Sequence, residues 1–283
     1  MITKEFSDPL VYVFYFSLFS LIAFLLLPFT HVPMLGVIIL ASLSTLLWTA
    51  GAYFMLKALK IGQASRVIPI IGTLTPVLLF IQALSTNSIN TQQILAVIVL
   101  ILGLVFLTLP DFKLSITDRS KLFFQELPLE IFASLFFASS YLILREAYLH
   151  DNFLTVLVWS RLILFPLGIL LLIIPNTRKI ILSNFKSKGR AGFLPRVTYL
   201  FLVGQAVGGA SELLLTLSIS LATPALVNSL QGVQYVFLFL ATLLLAKKFP
   251  GVFTEKFSSK NIFVKIGGII LIGFGLYILA FAS

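Results

Sequence analysis

The chain has 283 residues, of which 59% are hydrophobic and 11% charged, and its mean hydropathy is +1.08. Soluble proteins carry about 25% charged residues, so most of this protein's surface faces something other than water. The formal charge of +10 does not indicate nucleic-acid binding, because the cations lie in short turns between apolar runs, as in cytoplasmic membrane loops. The absence of cysteine excludes a disulfide framework, a thiolate nucleophile and a cysteine metal site.

Apolar runs of membrane-spanning length recur along the chain. A helix that crosses the hydrocarbon core needs about 20 apolar residues, and nine runs meet this criterion. The first follows a single Lys4 and lacks a small-residue cleavage pattern, which favours a retained span over a signal peptide. The predicted spans, first to ninth, are Pro9–Phe29, Met34–Leu56, Val67–Leu84, Gln92–Leu109, Leu127–Leu149, Phe153–Ile174, Val197–Leu221, Pro224–Ala246 and Ile262–Phe281.

The third span carries the first signal of function. It follows a turn with the cations Lys57, Lys60 and Arg66, and it contains Pro69 and Pro76 in its interior. Prolines interrupt the hydrogen bonds of a helix, and broken membrane helices surround the cavities of many transporters. The sequence therefore predicts a third span that is broken around a transport path.

The distribution of cations predicts the topology. Of the 20 lysines and arginines, 18 fall at the amino terminus, in the linkers after the second, fourth, sixth and eighth spans, or at the start of the ninth span. Positive charge marks the cytoplasmic side, so we expect a cell-membrane protein with its amino terminus inside and its carboxyl terminus outside. The exceptions are Arg145, which can snorkel to the outer interface, and Arg161.

The chain also carries a weak internal repeat. A shift of 158 residues pairs Gly51 with Gly209 and Ala64 with Ala222. The second and seventh spans, which these pairs relate, are an odd number of spans apart and so cross in opposite directions. This pattern predicts an inverted repeat, a common plan of secondary transporters, with a first half of four helices at 1–111 and a second half of five helices at 127–283.

The repeated segments resemble the drug/metabolite transporter superfamily, in particular its EamA-like exporters. The resemblance rests on ALKIGQASRVIPIIGTLTPVLLF (Ala58–Phe80), Gly103, LATPALVNSLQGVQYVFLFLATLLL (Leu221–Leu245) and GFGLYILAF (Gly273–Phe281). It implies a bundle of five plus five helices that moves small solutes across a membrane, often outwards. The chain departs from this plan in having four plus five spans, because its first run resembles the family's second helix.

The missing first helix leaves three interpretations open. The chain is a fragment, its start lies further upstream, or a partner helix or a second copy of the chain takes the place of the absent span. A further departure is Gln234, which occupies the repeat position of Pro76.

Two charges lie well inside apolar runs, Arg161 in the sixth span and Glu212 in the seventh. Both are predicted at similar depth, and an isolated charge there costs at least about 2.5–3.5 kcal/mol. The sequence therefore predicts that they form an ion pair. In the functional interpretation Glu212 takes a proton or Arg161 holds an anionic substrate, whereas in the structural interpretation the pair only fixes helix packing.

Neutral polar and aromatic side chains supply the other candidates. At 100° per residue, Asn228, Gln231 and Tyr235 fall on one stripe of the eighth span, with Gln234 at its edge. Polar side chains avoid lipid, so this stripe faces either a wet cavity or other helices. The remaining substrate-binding candidates are Trp48, Thr73, Pro76, Trp159 and Gln205.

These features favour a secondary transporter of small metabolites such as amino acids or amphipathic compounds, working by alternating access between the two inverted repeats. Arg161 favours a substrate with a carboxylate. The alternatives are a membrane-embedded enzyme, which the isolated His31 and His150 and the scattered carboxylates do not favour, and a non-transporting scaffold. No metal or cofactor is predicted, and the partners are the lipid bilayer and a small-molecule substrate.

Overall fold

The computed structural model of the chain describes residues 9–61, 64–86, 89–118, 120–188, 195–245 and 259–281. Within these ranges every regular element is a helix, which confirms the predicted all-α class. The elements are α1 (Pro9–Phe19), a 3₁₀ helix (Ser20–Phe29), α2 (Leu35–Ile61), α3 (Ala64–Ser85), α4 (Thr91–Asp118), α5 (Ser120–His150), α6 (Phe153–Leu162), α7 (Leu164–Ile173), α8 (Pro175–Lys188), α9 (Pro195–Leu221), α10 (Pro224–Ser229), α11 (Gln231–Leu245) and α12 (Ser259–Ala280).

Several of these helices have the length and composition of membrane spans. Four segments are long and apolar enough to cross a bilayer, namely Pro9–Phe29, Leu35–Ile61, Gln125–His150 and Phe153–Ile173. Shorter apolar helices cover Ile70–Ser85, Thr91–Phe106, Val207–Leu221 and Phe263–Leu279. The protein thus has the helices of an integral membrane protein, while the count of nine spans stays a prediction.

The helix breaks do not fall where the sequence predicted them. The predicted break of the third span is wrong, because α3 is continuous from Ala64 to Ser85 although Pro69 and Pro76 lie inside it. The sixth span is divided at Ile163 into α6 and α7, and the eighth at Leu230 into α10 and α11. Pro166 explains the first of these, since it has no N–H to bond the carbonyl of Leu162, the last residue of α6.

The chain forms two compact units. Unit 1 comprises Met1–Lys60 and Ser139–Ala222, and unit 2 comprises Ile61–Ala138 and Thr223–Ser283. Each unit therefore contains segments from both predicted sequence halves. The halves at 1–111 and 127–283 describe a repeat rather than compact units, and that repeat stays a prediction.

In unit 1, one apolar cluster joins the start of α1 to the end of α7 and to α8. Val11, Val13 and Phe14 pack with Leu171 and Ile181, and all of them are buried. Between membrane helices, van der Waals packing rather than the exclusion of water holds such contacts together. The cluster therefore fixes α8 to the ends of two spans.

Arg145 has a structural role in the same unit. Its Nη1 donates hydrogen bonds to the carbonyl oxygens of Ile219 and Ser220, in the last turn of α9. The final carbonyls of a helix have no intrahelical donor and carry the negative end of its dipole, so a cation there is stabilising. Arg145 thus caps α9, which accounts for this cation in an apolar run.

In unit 2, α4 and α12 approach each other closely. Leu100 and Leu104 of α4 pack with Ile272 of α12 and Tyr235 of α11. A Cβ placed on Gly103 would lie 2.7 Å from Ile272 Cγ1 and 2.9 Å from the backbone oxygen of Gly268. Only glycine fits between these helices, as in other membrane helix contacts built on small residues.

We expect Gly103→Ala to lower the free energy of unfolding by about 1–3 kcal/mol, because the added methyl meets backbone atoms that cannot move aside. The measurement is detergent-solubilised unfolding followed by circular dichroism. The matched control is Gly273→Ala in α12, where no heavy atom lies within 4 Å of a Cβ. Equal stability of the two variants would contradict the predicted close contact.

Candidate functional site

The predicted ion pair is present in unit 1. Arg161 lies in the last turn of α6 and Glu212 lies in α9, and their Nη2 and Oε1 atoms are 3.7 Å apart. The two side chains are only 16% and 19% exposed. Their mutual attraction offsets part of the cost of placing charges among membrane helices.

The pair is loose by the standards of arginine–carboxylate contacts. A distance of 3.7 Å exceeds the range of about 2.7–3.2 Å for an N–H to oxygen hydrogen bond. Glu212 therefore does not hold the guanidinium in the two parallel hydrogen bonds of a tight fork. The arrangement leaves guanidinium donors that a second carboxylate could engage.

Aromatic side chains flank the guanidinium. The Arg161 Cζ atom lies 5.9 Å from the centroid of the Phe16 ring, within the range of a cation–π contact. Phe16 in turn stacks on Trp48, with ring centroids 4.9 Å apart and an interplanar angle of 26°. Trp48 thus belongs to the surroundings of the pair through Phe16.

The Arg161–Glu212 pair lies beside the division between α6 and α7. Arg161 lies two residues before Ile163, where the helix is interrupted inside the segment Phe153–Ile173. The interruption is a single residue, since Ile163 keeps a helical backbone with φ −65° and ψ −21°, and it arises because Pro166 cannot donate to the Leu162 carbonyl. The buried charge and the helix break therefore coincide.

Trp159 makes a structural contact, while its predicted role in substrate binding stays a prediction. Its Nε1 donates a hydrogen bond of 3.1 Å to the carbonyl oxygen of His31, in the turn after the first span. The His31 ring also contacts Asp151, with Nε2 and Oδ2 3.1 Å apart. These contacts join two turns of unit 1, so Trp159 holds a loop in place.

Gln205 lies in α9, but its side chain belongs to the part of the chain that the structure does not describe. Its predicted role stays a prediction. Among the described residues, no group of three or more His, Asp or Glu side chains could hold a metal ion.

In unit 2, the stripe predicted for the eighth span is divided between two helices. Asn228 is buried in α10, and its Nδ2 donates to the carbonyl oxygen of Pro224 at 3.0 Å. Gln231 begins α11 and is half-buried, whereas Gln234 is exposed. Asn228, Gln231 and Tyr235 are buried or half-buried while Gln234 is exposed, a burial pattern compatible with the predicted stripe, whose role stays a prediction.

Tyr235 is committed to a helix contact. Its hydroxyl donates a hydrogen bond of 2.8 Å to the carbonyl oxygen of Ile68 in α3. A Cβ on Gly72 would collide with the same hydroxyl. The absence of a side chain at Gly72 therefore allows Tyr235 to reach the α3 backbone.

The other candidates of unit 2 lie one helical turn further along α3. Thr73 is half-buried and Pro76 is buried. Beside them, Thr75 Oγ1 is buried with no hydrogen-bond partner among the described residues, and the same holds for Thr223 Oγ1 at the start of α10. A buried hydroxyl without a partner loses the hydrogen bonds it made with water.

Sequence reasoning missed other buried charges. Glu126 and Glu130 in α5 are 1% and 0% exposed, and Lys265 in α12 is 6% exposed. Sequence reasoning singled out Arg161 and Glu212, which lie well inside their runs, and did not identify these three buried charges near the ends of theirs. The spacing of four residues between Glu126 and Glu130, continued by the buried Ser134, was the available signal, because it places them on one helix face.

For the ion pair, we expect Arg161→Gln and Glu212→Gln each to lower the free energy of unfolding by about 3 kcal/mol, because either change leaves a buried charge without its partner. The double variant should lose less than the sum of the two single changes. Chemical unfolding in detergent micelles measures this coupling. Strictly additive losses would show that the two side chains do not interact.

Comparisons with known proteins assign no family to this chain. No protein-family model matches the sequence. A search of the curated proteins gives no match either. The resemblance to the drug/metabolite transporter superfamily therefore stays a prediction from its motifs, and the functional proposal rests on the sequence pattern and on the geometry of the described residues.

Proposed function

We propose that the protein is a secondary transporter, acting as an exporter, of small polar metabolites that carry a carboxylate. The observation that carries this proposal is the loose Arg161–Glu212 pair beside the helix break at Ile163. A buried charge in a membrane helix is costly, and such charges mark substrate and ion pathways. The distance of 3.7 Å leaves donors of the planar guanidinium available to a second anion.

The mechanism we propose is exchange of partners at Arg161. An incoming carboxylate accepts hydrogen bonds from the guanidinium donors that Glu212 does not engage. Because the Glu212 carboxylate stays nearby, its negative charge limits the affinity of Arg161 for the substrate. Phe16 supports the guanidinium from the side through the cation–π contact. Because the break between α6 and α7 lies two residues away, occupation of Arg161 can change the angle between these helices.

The proposed transport cycle is alternating access between two inverted helix repeats. Contacts in unit 2 support the inversion. Tyr235 of α11 bonds to Ile68, near the start of α3, and the preceding helix α10 also packs on α3. Helix α10 precedes Tyr235 in the chain. If α10 and α11 ran parallel to α3, α10 would lie beside residues that precede Ala64, the first residue of α3, and could not pack on α3. The contacts therefore favour opposite directions.

The nine predicted spans and the cation distribution complete the proposal. They favour a location in the cell membrane, with the amino terminus in the cytoplasm and the carboxyl terminus outside. Energy for transport would come from a solute or ion gradient, since the sequence has no nucleotide-binding loop.

The direct test is flux into liposomes that contain the purified protein. The solutes are three matched sets of similar size: those with a carboxylate and an amine, those with the carboxylate alone and those with the amine alone. We expect transport of the carboxylate-bearing sets. Arg161→Gln should reduce their initial flux roughly 10- to 100-fold, because hydrogen bonds to a charged group contribute about 1.5–3 kcal/mol.

The matched control is Arg145→Gln, which removes a cation of unit 1 that caps a helix and lies outside the proposed site. Flux per folded molecule should persist in this variant. Normal transport by the double variant Arg161→Gln/Glu212→Gln would disprove the proposed mechanism and favour the structural interpretation of the pair. Absence of flux for every solute set in the unaltered protein would favour a non-transporting scaffold.

A further inference from the structure

Helix α8 begins where a membrane span ends. The segment Phe153–Ile173 ends with α7, and α8 starts at Pro175, two residues later. The intervening Ile174 has an extended backbone, with φ −70° and ψ 119°. The chain therefore changes direction at Ile174, and α8 starts at the level of the lipid headgroups.

The turn between the two helices is held by hydrogen bonds. Thr177 Oγ1 lies within hydrogen-bond reach of the carbonyl oxygens of Leu171 and Ile174. The backbone N–H of Arg178 also donates to the Ile174 carbonyl oxygen, at 3.0 Å. The Thr177 hydroxyl thus links the first turn of α8 to Leu171 near the end of α7, and the bonds to Ile174 close the first turn of α8.

One face of α8 is anchored to the spans. Ile181 is 0% exposed and packs with Leu171 near the end of α7 and with Val11 and Phe14 near the start of α1. The start of α1 and the end of α7 thus meet at α8. A helix held by an apolar contact at the ends of two spans lies at the membrane boundary rather than in the aqueous phase.

The opposite face combines cations with an exposed apolar residue. Arg178 and Lys179 are exposed, and Leu182 is 42% exposed. At 100° per residue these three positions fall within a sector of about 100°, and Ile181 lies outside it. Helices that lie in the membrane interface combine lysine and arginine with large apolar side chains, and the described part of α8 exposes both kinds.

We propose that α8 is an interfacial helix whose Arg178 and Lys179 bind the phosphate groups of anionic phospholipids, while Leu182 enters the boundary of the acyl chains. A soluble anion would bind the two cations but leave the Leu182 side chain in water. A phospholipid offers a phosphate group to the two cations and acyl chains to Leu182. The negative surface of a membrane leaflet attracts cations at this depth. The proposal does not depend on transport.

The test is a titration of purified protein in neutral detergent micelles with phosphatidylglycerol, followed by native mass spectrometry of bound lipid. We expect Arg178→Gln/Lys179→Gln to bind phosphatidylglycerol roughly 20- to 30-fold more weakly than the unaltered protein, which corresponds to about 1 kcal/mol for each cation near an anionic surface. The charge-conserving variant Arg178→Lys/Lys179→Arg should retain binding.

Three controls make the result specific. Lys57→Gln/Lys60→Gln removes the same charge from exposed positions at the end of α2, and it should keep most of the affinity. Phosphatidylcholine tests for a neutral headgroup and glycerol 3-phosphate tests for a free phosphate, and neither should compete with phosphatidylglycerol. The proposal is overturned if the Arg178/Lys179 double variant binds as well as the unaltered protein, if the α2 variant loses as much affinity, or if either competitor displaces the lipid.

Discussion

The hydrocarbon interior of a bilayer offers no hydrogen-bond partners, and this constraint accounts for most of what the described residues do. Each unsatisfied backbone group there costs several kcal/mol, so the chain is helical throughout its described spans. Hydroxyl side chains obey the same rule by bonding their own helices. Ser17 Oγ donates to the Phe14 carbonyl oxygen, Thr49 Oγ1 to that of Thr45, and Ser134 Oγ to that of Glu130.

Polar side chains without a close hydrogen-bond partner are the exceptions to this rule, and they indicate where another ligand can bind. Arg161 and Glu212 face each other at a distance too long for a hydrogen bond. By contrast, Tyr235 and Asn228 direct their donors to backbone carbonyls. The two sets differ in their contacts: the first leaves guanidinium donors open, and the donors of the second bond to helix backbones. The functional proposal therefore centres on unit 1.

Two features could be predicted from the sequence, the helical membrane class and the ion pair, because they depend on composition and on the free-energy cost of single buried charges. Helical class and membrane spans follow from runs of apolar side chains, and the Arg161–Glu212 pair follows from the cost of isolated charges. The sequence did not predict the positions of the helix breaks, because a proline interrupts a helix only where its neighbours do not compensate for the lost hydrogen bond. Helix α3 continues through Pro69 and Pro76, whereas the sixth span is divided near Pro166. The hydrogen bond from Tyr235 to Ile68 joins residues 167 positions apart, and no local pattern encodes it.

The composition of the two compact units has a consequence for biosynthesis. Unit 1 draws on residues up to Ala222, and unit 2 on residues up to Ser283, so neither is complete when the first sequence half leaves the ribosome. The early helices must enter the membrane before most of their eventual neighbours exist. Because domains generally assemble as units during synthesis, the nascent first half has to wait in the bilayer with contact surfaces still open.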